Sequence, residues 1–123
     1  MKYLILIYHN QQARETWQSM SEAERGRGLR AYSELNRELA ESGEMIASQA
    51  LAEPEMGKRV TVHDGRTLAT DGPFAEVKEA LAGIYMVDCA NEERALEIAG
   101  RIPEAQLGLV ELRPGMTYSG LEG

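Results

Sequence analysis

The densest run of chemistry-bearing residues is Asp71-Gly-Pro-Phe-Ala-Glu-Val-Lys-Glu79. It places two of its three carboxylates, Asp71 and Glu76, and the amine of Lys78 around a Gly-Pro corner and the chain's only Phe. A carboxylate next to a proton donor can run acid–base chemistry, and a rigid corner can hold a small polar ligand against both. Asp71 is therefore the candidate acid–base group, with Tyr8 or Lys78 as its partner. Tyr8, Gly72, Pro73, Phe74, Glu76 and Lys78 are the candidate ligand contacts. A structural use of the same residues stays open. Asp71 can accept bonds from neighbouring amides in an Asx turn, Pro73 fixes the backbone, and Phe74 can anchor the loop.

Other reactive types are sparse. His9 and His63 are the two imidazoles, one after the first apolar run and one at a hairpin tip; no partner at short spacing orients either, so both read as loop residues. Cys89 is the single cysteine, which excludes an intramolecular disulfide, and it lies in an apolar run where it reads as a small buried hydrophobe. One Cys and two distant His cannot close a structural zinc site, so neither metal nor cofactor is expected. No Gly-x-Ser-x-Gly elbow is present. Gly26 and Gly28 fall inside a helical pattern rather than after a strand, so they make no phosphate loop.

The elements that must position these residues are readable from periodicity. Lys2-Tyr-Leu-Ile-Leu-Ile-Tyr8 is a short apolar run of strand character. His9 to Ser19 is polar and irregular and reads as a connection. Ser21-Glu-Ala-Glu24 is a capping box, Leu29, Tyr32, Leu35 and Leu39 recur at helical spacing, and Gly43 provides a left-handed stop. A helix over about 21–42 follows. Met45 to Leu51 alternates like a strand. Asp64-Gly65 between two β-prone runs signals a tight hairpin. A strand over 83–89 leads to Asn91, an N-cap, and a second helix with Ala95, Ile98, Ala99 and Ile102 inward, closed by Pro103. A last strand is expected over 107–113.

Strand, helix, strand, hairpin, strand, helix, strand is the order of an α+β, ferredoxin-like sandwich. In its strands Tyr3, Ile5 and Ile7 oppose Leu4, Leu6 and Tyr8, so both sheet faces are apolar. Two helices cover one face, and the other is expected to bury itself in a homodimer.

The chain has 123 residues, one domain's worth, and 43% hydrophobic and 27% charged residues exclude wholesale disorder. Thirteen Lys and Arg against 20 Asp and Glu give a net charge of −7, and the Arg25, Arg27, Arg30 group is interleaved with glutamates. A phosphate backbone finds no patch there, so no nucleic-acid partner is expected. The apolar start is too short to span a bilayer and carries no cleavage pattern, so no membrane partner and a cytoplasmic location are expected.

The Asp71-Gly-Pro-Phe-Ala-Glu76 motif, the following Gly83-Ile-Tyr-Met-Val, the opening Lys2–Tyr8 run and the closing Val110-Glu-Leu-Arg-Pro114 together resemble the DGPF branch of the YCII-related family. The likeness extends over residues 1–116, which makes a single domain with a tail at 117–123. It implies a ferredoxin-like fold that pairs into a dimeric α/β barrel. Some relatives with this motif are encoded beside sigma-factor genes, which implies a regulatory setting. The wider family has a His near the start of its first helix and an Asp near the end of its second. Here Ser21 to Arg30 holds no His, and Arg101-Ile-Pro103 holds no Asp. Asp71 is the acid that carries over. The expected function is that of a small cytoplasmic dimer binding a small molecule near this loop, in a regulatory role. The alternatives are an enzyme using Asp71 and a protein-binding module without ligand.

Overall fold

The computed structural model describes residues 1–72 and 78–117. Strand β1 (Lys2–His9) is followed by helices α1 (Gln11–Ser19) and α2 (Glu22–Ser42), then β2 (Met45–Ala50), β3 (Lys58–His63) and β4 (Arg66–Asp71). Strand β5 (Ala80–Asp88), helix α3 (Glu92–Gly100) and β6 (Val110–Pro114) complete the chain, with 3-10 turns at Pro54–Met56 and Pro103–Leu107. The main sheet has the order β2-β5-β1-β6, antiparallel throughout. This is a mixed α+β fold, consistent with a ferredoxin-like arrangement.

Local chemistry explains the element ends. Ser21 Oγ accepts from the Glu24 amide at 3.2 Å while Glu24 reaches back to the Ser21 amide, and Gly43 ends α2 at φ +78°. Asn91 caps α3 by accepting from the Arg94 amide. Asp64 (φ 51°) and Gly65 (φ 74°) turn β3 into β4, with His63 paired to Arg66 across a two-residue loop.

The structure differs from the sequence reading in four places, one being β5, which begins at Ala80 rather than Gly83. The polar stretch after β1 contains α1: Asn10 accepts from the Ala13 amide at 2.8 Å, and the cap compensates for the weak apolar stripe. The last strand begins at Val110 rather than Leu107, because Pro103 starts a 3-10 turn that ends at Gly108 with φ +72°. The hairpin β3–β4 forms a sheet of its own. All twelve of its residues are exposed.

The core lies on one side of the main sheet. Tyr3, Ile5 and Ile7 of β1 and Tyr85 and Val87 of β5 pack against Leu35 and Leu39 of α2 and Ala95, Ile98 and Ala99 of α3. Their alternates Leu4, Leu6, Ile84 and Met86 lie on the opposite face and are partly exposed. An Arg94 fork on Glu44, at 3.0 and 2.8 Å, clips α3 to the end of α2. This clip keeps the helical layer seated over the sheet.

Candidate functional site

Where β1 ends, its register against β5 shifts: Ile7 pairs with Gly83 but Tyr8 pairs with Leu81, leaving Ala82 without a counterpart. The Ala82 carbonyl accepts instead from the Leu51 amide at 2.8 Å. The irregularity opens a gap between the sheet, α2 and the segment after β2. The gap is a cavity of about 490 Å³. His9, the last residue of β1, lines it from one side and Glu104, in the 3-10 turn after Pro103, from another.

Glu104 is the hub. Its Oε2 lies 3.1 Å from His9 Nε2, and its Oε1 accepts from the Tyr32 hydroxyl at 2.5 Å. The carboxylate is 18% exposed and the imidazole 39%, so the group is sheltered yet reachable. Its backbone is fixed as well: the Glu104 carbonyl accepts from the Leu109 amide, and the Leu109 carbonyl accepts from the Tyr8 amide beside His9. Partial burial, the bond to Glu104 and its negative charge push the Tyr32 phenol far above its ordinary range. Tyr32 is thus a permanent donor.

A second pair lies alongside. The Tyr85 hydroxyl donates to Asn36 Oδ1, one turn along α2 from Tyr32. Burial raises the Tyr85 phenol, the Asn36 bond opposes that, and the charge of Glu104 adds to it. Arg14 of α1 also lines the cavity, and one guanidinium nitrogen meets Glu53 Oε2 at 3.2 Å. Its Nε is buried and has no hydrogen-bond partner among the described residues. Ile7, Leu51 and Leu81 supply apolar walls. A carboxylate, an imidazole, two phenols, an amide and a guanidinium can bind and polarise a small organic molecule.

The residues expected from sequence are spread out. Asp71 closes the base of the hairpin, 78% exposed, with Oδ1 2.5 Å from Lys58 Nζ of the paired strand. The Gly72 amide donates to the Gly57 carbonyl at 2.9 Å, and a Cβ there would sit 2.3 Å from the Pro54 carbonyl oxygen. Only a glycine fits that approach. Tyr8 alternates to the opposite face of β1 from His9 and donates to Glu111 Oε1 at 3.0 Å. That bond raises the Tyr8 phenol, while Arg113, at 2.6 Å from the other oxygen, and Tyr8 itself hold Glu111 low. Lys78 lines a larger cleft, of about 1140 Å³, that adjoins the cavity and shares with it His9, Arg14, the 51–54 segment, Ala80 and Leu81. Pro73, Phe74 and Glu76 lie outside the described residues.

Sequence reading therefore missed Arg14, Tyr32, Asn36, Tyr85 and Glu104, and read His9 as a loop residue. Its orienting partner is 95 residues away, beyond any local spacing. His63 is at the hairpin tip, exposed beside Asp64 at 3.4 Å, and Cys89 is buried. Among the described residues, no three His, Cys, Asp or Glu side chains gather as metal ligands, and no helix is long and apolar enough to cross a membrane.

The family model described as the YCII-related domain matches residues 1–117. A protein of Rhizobium meliloti (strain 1021), described as uncharacterized, is 32% identical over 120 residues, which cover 96% of this chain and 94% of that one.

Proposed function

This chain belongs to the YCII-related domain family, and from that premise we propose that it is a cytoplasmic, homodimeric protein that binds a small organic molecule in the Glu104 cavity. One observation carries the reading. A single carboxylate receives His9 and Tyr32 on its two oxygens at the wall of a cavity of about 490 Å³, large enough for a small ligand. Polar groups of this number, converging from β1, α2, β5 and the 3-10 turn, exceed what the core needs for packing.

The ligand on this reading sits beside the Pro54 turn, against which Gly72 packs, rather than on Asp71. Gly72 is stitched to Gly57 against the Pro54 turn, which forms part of the cavity rim. On this reading Gly72 acts by fixing the rim, and a regulatory role rests on the resemblance to the DGPF branch alone. Chemistry at Asp71 with Tyr8 or Lys78 has less support, because Asp71 faces solvent on Lys58 and Tyr8 is held by Glu111 on the other sheet face. The uncovered face of Leu4, Leu6, Ile84 and Met86 supports a second copy, back to back, as its cover. A barrel closed across that interface follows if the two sheets pair.

Thermal-shift screening against small organic acids, amides and phenols tests the cavity. A stabilising compound should lose its effect in Tyr32→Phe and keep it in Asp71→Asn; the reverse pattern overturns the reading. Light scattering should give twice the 13.6 kDa chain mass. Leu6→Lys should reduce it to a folded monomer.

A further inference from the structure

We infer that His9 is a general base, removing a proton through Nδ1 from a carbon next to the carbonyl of a small ligand in the Glu104 cavity. The inference rests on the cavity being the ligand site, as proposed above. It begins with the two nitrogens of the ring, which are chemically distinct. Nε2 faces Glu104 Oε2 at 3.1 Å. An ionised carboxylate only accepts hydrogen bonds, so the neutral ring carries its proton on Nε2. Nδ1 is then the lone-pair nitrogen, and it has no hydrogen-bond partner among the described residues.

Two residues hold that state. Glu104 fixes the tautomer and steadies the imidazolium that forms when Nδ1 takes a proton. Tyr32, bonded at 2.5 Å to the other oxygen, stops the carboxylate from turning away. Both are positioning residues. The arrangement is convergent: β1, α2 and the 3-10 turn after α3 each contribute one member. A surface ion pair would not require three elements and a shared cavity.

An imidazole can take many kinds of proton, and the Arg14 guanidinium in the same cavity points to one whose departure leaves charge on an oxygen. The ring removes protons whose departure leaves charge that the site can stabilise. The ligand C–H bond breaks, the Nδ1–H bond forms, and the electron pair moves onto the carbonyl oxygen as an enolate. Arg14, lining the same cavity with Glu53 holding one end of its guanidinium, is the cation available to that oxygen. The proton returns to carbon from Nδ1–H, so no co-reactant is consumed. Ile7, Leu51 and Leu81 give the carbon skeleton an apolar bed.

The test is proton–deuterium exchange in D2O, followed by NMR, with 2-oxobutyrate, levulinate and cyclohexanone as probes. The wild-type protein should accelerate exchange next to the carbonyl of at least one probe, by on the order of 10²-fold over buffer containing free imidazole. His9→Gln should return it to background. Glu104→Gln and Tyr32→Phe should slow it while the fold is kept. The 15N shifts of the His9 ring should report the Nε2–H tautomer in the wild type and a mixture in Glu104→Gln, which ties the loss of exchange in that variant to the position of the ring proton. Exchange no faster than background for all three probes overturns the inference, as does exchange that survives His9→Gln. If the probes perturb cavity amides without exchanging, the cavity reading stands and the base assignment falls. If they perturb nothing while other compounds bind in the cavity, the carbonyl class is wrong; if nothing binds there at all, both readings fall.

Discussion

The base of the β3–β4 hairpin and the Glu104 cavity are built in opposite ways. At the hairpin, Asp71 and Lys58 meet across one strand pair, 13 residues apart, in open solvent. At the cavity, His9 and Tyr32 reach Glu104 over 95 and 72 residues, sheltered by the helical layer. The hairpin base is rich in motif and poor in environment; the cavity is the reverse. An exposed ion pair is screened and contributes little, whereas a sheltered carboxylate with two donors loses both if it is removed. Density of reactive residues along the chain is thus a weaker guide to chemistry than their convergence across it.

Substitutions should separate the two regions by the size of their effects. Glu104→Ala should cost the most, about 2–3 kcal/mol in urea unfolding, since it strands His9 and Tyr32 together. Gly72→Ala should follow at about 1–3 kcal/mol, because its new methyl meets the Pro54 carbonyl. It should also loosen the hairpin in hydrogen exchange while the main sheet stays protected. Acid should act on the helical layer next. Two bonds from Arg94, with a third from Ser42, hold the Glu44 carboxyl below its ordinary value. A depressed folded value means full stabilisation above the ordinary Glu range near about 4.3, lost as pH falls through the folded value. Glu44→Gln should therefore flatten the acid limb of a melting-temperature curve between about pH 5 and 3. Asp71→Ala should matter least, within about 0.5 kcal/mol by the same urea assay. A large loss there would restore the hairpin base as a structural centre.

Most of the fold was legible because its signals are local. The Ser21–Glu24 box, Gly43, Asp64-Gly65 and Asn91 each act within a few residues, and each sits where its chemistry predicts. The alternation in β1 likewise separated Ile5 from Leu6. Helix α1 was missed because a cap, Asn10, outweighs a polar composition that periodicity alone reads as loop. The late start of β6 was missed because Leu107 looks like strand until Pro103 and Gly108 are read as the ends of one turn. The cavity was not legible at all. Glu104 is one of many glutamates, and nothing near it in the chain marks its meeting with His9 and Tyr32; that meeting is set by sheet order and by the register shift at Ile7.

On the proposed reading this protein's chemistry resides in the cavity and not at the hairpin base. Backbone-amide chemical-shift mapping with a compound that stabilises the protein tests it directly. Perturbations are expected around His9 to Arg14, Ser48 to Glu53 and Ala80 to Tyr85, reduced in Tyr32→Phe and unchanged in Asp71→Asn. Perturbations centred on Lys58 and Asp71, with the amides of His9 and Glu104 unmoved, would contradict it.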